Sequence, residues 1–96
     1  MAANKEKFVL MKKFDLLNSS DKFDYQFLGR LQVDCEYYLG YGRRNPKWLW
    51  AGNEKDHIAL MKEVYTYLSE KFVRPEWITW DDIVEYGKKM CAEVEA

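Results

Sequence analysis

The chain reads as a mostly α, small three-helix domain with an aromatic core. A long structured loop joins the first two main helices, and an N-terminal element is either helix or strand. Three observations predict this. Apolar residues recur at 3–4 spacing in three long segments. Each of those segments opens on a side chain able to cap a helix. Four Trp, seven Tyr and five Phe in 96 residues supply ample apolar surface for a core. The length suits one domain. We divide it into an N-terminal extension, 1–20, partly ordered, and a single helical domain, 21–96.

The elements follow in order. The first several residues are expected to fray. From Phe8 to Leu17 two readings stay open. Leu10, Phe14 and Leu17 suit a helix, whereas Phe8-Val9-Leu10-Met11 also suits a short buried strand. The first main helix is expected over 22–39, capped by Ser20 or Asp21. Asp24, Leu28, Leu31, Cys35 and Tyr38 share one face, with Phe27 and Leu39 beside it. Gly40 stands where a left-handed C-terminal cap is expected. The middle helix is expected over 54–71. Asn53 caps it, and its apolar face is Ile58, Met61, Val64, Tyr65, Leu68 and Phe72. Glu63 and Lys62 fall on its wet side, and Arg74-Pro75 stops the chain from continuing as helix.

The last helix has the clearest start. Thr79 and Asp82 form a capping box, and Ile78 and Ile83 form a hydrophobic staple around it. Its buried stripe is expected to be Trp80, Ile83, Val84, Gly87, Met90, Cys91 and Val94. Gly87 within that helix costs up to about 1 kcal/mol against Ala. Its use is therefore close approach to another element, for which a Trp is the candidate.

The segment 41–52, Tyr-Gly-Arg-Arg-Asn-Pro-Lys-Trp-Leu-Trp-Ala-Gly, stands apart. It holds three positive charges and no negative one, interleaved with Tyr41, Trp48 and Trp50. Arg43, Arg44 and Lys47 beside these rings suit a nucleic-acid site, where cations meet phosphate and rings stack on bases. They equally suit a protein interface, where Trp, Tyr and Arg are enriched at the residues that carry affinity. The structural reading differs by residue. Trp48, Leu49 and Trp50 fold inward between helices, while Arg43 or Arg44 pairs with Asp34 or Glu36 or caps helix carbonyls. Trp50 and Trp77 are both expected in the core.

Other chemistry is sparse. With 15 basic and 16 acidic residues the net charge is −1. That excludes a strongly cationic nucleic-acid binder and a highly acidic DNA mimic. From Glu76 onward six acids face two lysines, so the last helix offers an acidic face with Asp81, Asp82 and Glu85 as candidate binding residues. More often such a face is only solvated. One His and two Cys are too few for a zinc site of four ligands. Cys35 and Cys91 read as buried free thiols. His57 reads as structural, since no nucleophile pairs with it. Asp34 and Glu36, two apart on a helix, do not face each other. There is no phosphate loop and no dinucleotide fingerprint. No catalytic residue, metal or cofactor is expected. No apolar run approaches the ~20 residues of a membrane span, and the expected location is the cytoplasm.

One family pattern covers about 25–90. It comprises Arg30-Leu31, Asp34-Cys35-Glu36-Tyr37-Tyr38-Leu39-Gly40, Gly42 and Arg44, then Leu49-Trp50-Ala51-Gly52-Asn53, then Pro75-Glu76-Trp77-Ile78-Thr79. In this the chain resembles the large polyvalent protein-associated domains, eleventh type. It departs at Tyr41, where the family often has Asn, and around Pro46-Lys47-Trp48, where Glu-Lys-His is common. The resemblance implies a phage or conjugative-element context and no assigned catalytic residues. Together these lead to the expectation of a non-enzymatic accessory protein. It binds and occludes a host or mobile-element protein, in the manner of an anti-restriction or anti-CRISPR inhibitor. The candidate binding residues are Tyr41, Arg43, Arg44, Lys47, Trp48, Asp81, Asp82 and Glu85. The alternative is a nucleic-acid-binding module using the basic-aromatic loop 41–50.

Overall fold

Short-range capping decides where the helices begin, and the computed structural model shows each cap in place; it describes residues 8–17 and 20–95, with side chains through Cys91. The elements are α1 (Val9–Lys13), α2 (Asp21–Leu39), a 3-10 turn (Pro46–Trp48), α3 (Glu54–Lys71) and α4 (Trp80–Glu95). Among the described residues there is no strand. The Ser20 hydroxyl accepts from the Phe23 N–H at the start of α2. The Asn53 carbonyl oxygen accepts from the Asp56 N–H at 2.8 Å. The Thr79–Asp82 box closes in both directions, at 2.9 and 3.1 Å, with Ile78 and Ile83 buried around it. The expectations of fraying at 1–7 and of a buried Val94 lie outside the described side chains.

The open N-terminal element is a helix. Its first turn carries no acidic residue and no capping side chain of its own. The cap comes from α3 instead. The Glu63 carboxylate accepts from the Leu10 N–H at 3.0 Å and from the Met11 N–H at 2.9 Å. A carboxylate at the positive end of the helix satisfies donors that would otherwise be orphaned. This corrects the placement of Glu63 on the wet side. Asp15 takes a left-handed φ of 59°, and the Leu16 N–H returns to the Met11 carbonyl at 2.8 Å, which ends α1 in a Schellman motif. Met11 and Leu16 are both buried, so part of the 1–20 extension belongs to the core.

The core takes most of the predicted set on α2 and α3: Phe27, Leu28, Leu31, Cys35 and Tyr38 against Ile58, Met61, Val64, Tyr65 and Leu68, with Leu60 added. Phe72, expected on the same face, caps the end of α3 and is 44% exposed. Among the described side chains, the last helix covers the core with buried Ile83 and Met90 and with partly buried Tyr86. Trp80 is 42% exposed, and Val84, Gly87 and Cys91 are half-buried. The expected stripe of α4 is therefore buried along one edge and open along the other. Gly87 does make a close approach, but to Ile58 of α3 and not to a Trp; a Cβ there would lie 3.2 Å from Ile58 Cγ2. Trp77 is not in the core either. It is 48% exposed, and its ring lies beside Gly29 of α2.

Candidate functional site

The basic-aromatic loop is built outward from the end of α2. Gly40 is not left-handed, with φ −106°. Its N–H is shared between the Glu36 and Tyr37 carbonyls, which leaves the change of direction to the next residues. Gly42 makes it possible. A Cβ there would sit 2.9 Å from both the Tyr37 carbonyl oxygen and Trp48 Cδ1. The left-handed positions are Arg43 and Arg44, with φ of 52° and 59°. An L-residue pays roughly 1–2 kcal/mol for that conformation. The Gly42 N–H to Tyr37 O bond (2.7 Å) and the Arg44 N–H to Tyr38 O bond (2.8 Å) hold it.

Three further ties fix the loop to the helices. Asp34, buried on α2, accepts from the Trp50 N–H at 3.0 Å and from Arg30 Nε at 3.3 Å. The Tyr38 hydroxyl donates to Glu54 in the first turn of α3. Arg44 Nη1 donates to the Lys89 carbonyl of α4 at 2.8 Å. Leu49 is the residue that plugs the core. Trp48 and Trp50 do not fold fully inward; they are 45% and 38% exposed. The 3-10 turn itself buries none of its three residues, and the chain leaves it in extended backbone at Leu49. Trp50 keeps an edge against Phe14 and Phe27, with ring centroids 4.9 and 4.8 Å away.

What remains outside is a compact aromatic and cationic face. Tyr37 meets Trp48 edge-on at 5.2 Å and tilts toward Tyr41 at 6.3 Å. Tyr41 is 89% exposed. Lys47 Nζ lies 5.2 Å over the Trp48 ring. Arg43, two residues on from Tyr41, is exposed and makes no side-chain hydrogen bond or ion pair among the described residues. Of the loop residues singled out from the sequence, Tyr41, Lys47 and Trp48 share this face, and Arg43 is exposed in the turn that carries it. Arg44 is turned toward α4. Tyr37, from α2, was not singled out. Its exposed position two residues past buried Cys35 on a helical face was the available signal.

The acidic candidates sit on α4. Asp82 is occupied by the capping box, and Glu85 pairs with Lys88 at 3.5 Å. Asp81 is exposed in the first turn. The loop meets α4 at Lys89, roughly 12 Å of helix rise past Asp81.

Groups with catalytic potential are sealed away. His57 is buried, and its Nε2 lies 2.9 Å from the Leu31 carbonyl. That contact makes Nε2 the protonated nitrogen and leaves Nδ1 bare, and burial lowers the imidazole's pKa. Cys35 touches Met61 Sδ at 3.5 Å; burial, then the nearby Asp34 and Glu36 charges, push its thiol up to about 12. The Tyr86 hydroxyl donates to Glu36 at 2.9 Å. Asp34 and Glu36 are thus committed to separate structural partners. Among the described residues no three His, Cys, Asp or Glu side chains are grouped to hold a metal ion. No helix among them is long and apolar enough to cross a membrane.

The segments that hold the loop are the ones a family model also matches. The model for large polyvalent protein-associated domain 11 covers residues 21–90. The chain belongs to that family. Large polyvalent protein-associated domain 11 thus spans α2, α3 and α4 to Met90, and α1 lies ahead of the matched region. Neither a curated protein nor a solved structure matches the chain.

Proposed function

We propose that this domain is a non-catalytic cytoplasmic binding module of a phage or mobile element, which occludes a protein partner through the face Tyr37, Tyr41, Arg43, Lys47 and Trp48. One observation carries the reading. The loop holds two consecutive arginines in a left-handed backbone and displays one of them beside exposed rings. Strain of this kind persists where the surrounding structure enforces it, and it concentrates at working surfaces. Exposed Trp, Tyr and Arg in one patch match the composition of protein-interface hot spots. An inhibitor of host defence, of the anti-restriction or anti-CRISPR type, fits a module that acts by covering a partner's surface.

The test is affinity capture from a mobile-element host, with half of the lysate nuclease-treated and the bound proteins read by mass spectrometry. The expected result is one protein held in both halves and lost with Tyr41→Ala/Arg43→Ala/Lys47→Ala. Capture that disappears on nuclease treatment would instead make the loop a phosphate-binding surface, whose affinity falls steeply with salt.

A further inference from the structure

The half-open edge of α4 lines a second surface, separate from the loop face. A groove of about 490 Å³ runs between α3 and α4, floored by Ile58, Val84 and Gly87 and rimmed by Lys55, Lys62 and Lys88. Cys91 lines it as well, and Lys62 Nζ lies 5.7 Å over the ring of Trp80, which is outside the groove. Among the described residues no Asp or Glu lines it, in a chain whose net charge is −1. Glu85 reaches only one of the lysines, Lys88.

The shape and the charge call for one kind of occupant. We propose that the groove takes an acidic amphipathic helix of a partner protein. The stripe Val84, Gly87 and Cys91 repeats every three to four residues over about 10.5 Å of helix. It matches the apolar strip of a third helix laid against two others. Lys55 and Lys62 are seven residues apart, about 10.5 Å along α3, and so face carboxylates seven residues apart on the incoming helix. A nucleic-acid backbone satisfies the lysines but leaves the apolar floor uncovered, so peptide is the favoured partner.

The probe is a fluorescein-labelled peptide of about 14 residues, with Leu at i, i+4, i+7 and i+11 and Glu on both flanks. Its affinity is read by anisotropy. Saturable binding is expected, weakened at least about tenfold by Lys55→Glu/Lys62→Glu and by scrambling the peptide. Lys55→Gln/Lys88→Gln, at two exposed positions, serves if the first variant melts below wild type. Maleimide labelling of Cys91 should slow when the peptide is bound, whereas buried Cys35 stays unlabelled. Tyr41→Ala/Arg43→Ala/Lys47→Ala should leave the peptide affinity unchanged, which separates this groove from the loop face. Absence of binding, equal binding of the scrambled peptide, or insensitivity to the lysine variants overturns the proposal. So does displacement of the peptide by a 20-base-pair DNA duplex through the same lysines.

Discussion

Two buried ionisable residues give this protein a legible pH response. Asp24 is fully buried in α2, and neither carboxylate oxygen has a hydrogen-bond partner. Burial, and then the Asp21 charge, raise its pKa from 3.8 to about 6. The folded state therefore binds more protons than the unfolded chain between those values. The Asp24 contribution is fully favourable below pH 3.8 and is lost as pH rises through 6. Asp24→Asn should raise stability at pH 7.5 by about 1–3 kcal/mol, and the gain should vanish near pH 4, as thermal melts at the two pH values will show. His57 acts in the opposite sense. Its depressed pKa means that the unfolded chain takes the proton first, so stability falls as pH drops below about 6.5. Melts of the Asp24→Asn protein, freed of the opposing group, should therefore decline with acid from that point. A flat profile would place His57 outside the core. The sequence put Asp24 on the buried face of α2, but its lack of a partner depends on what α2 packs against, which periodicity does not encode.

At the scale of the element, two contacts decide whether a segment holds its shape. Among the described residues, Glu63 is the side chain that caps the N-terminus of α1. Glu63→Ala should cost about 1–2 kcal/mol and speed amide exchange at Leu10 and Met11 before it affects α2. In the loop, Gly42→Ala meets the Tyr37 carbonyl and Trp48 ring. It should lower stability by about 1–3 kcal/mol and shift tryptophan fluorescence as Trp48 is displaced. The main helices were legible because their caps are local: Ser20, Asn53 and the Thr79–Asp82 box all act within three residues. The class of 8–17 was not, because its cap comes from 53 residues away. The four tryptophans expected inside, Trp48, Trp50, Trp77 and Trp80, are all more than a third exposed for a related reason. A loop or a helix edge exposes a ring according to which neighbours reach it, and Leu49 and Ile78 took the inward positions.

On the scale of the whole molecule, the residues at the end of α2 and in the loop divide by task. Asp34, Cys35, Glu36, Tyr38 and Gly42 are spent on structure, through the Trp50 amide, Met61, Tyr86, Glu54 and the Trp48 ring. Tyr41, Arg43 and Lys47 are displayed. The candidate loop was legible in sequence from its charge and aromatic interleaving, but the division within it required the fold, since adjacent Arg43 and Arg44 differ only in where the backbone aims them. The displayed set is expected to be dispensable for stability and the holding set is not. The most direct test is side-by-side thermal melting of Tyr41→Ala/Arg43→Ala/Lys47→Ala and Asp34→Ala. The first should melt within about 2 °C of wild type. The second leaves the Trp50 amide unsatisfied and should fall by about 5–10 °C. An equal fall in both would contradict the account, since the exposed face would then be part of the scaffold that it was taken to surmount.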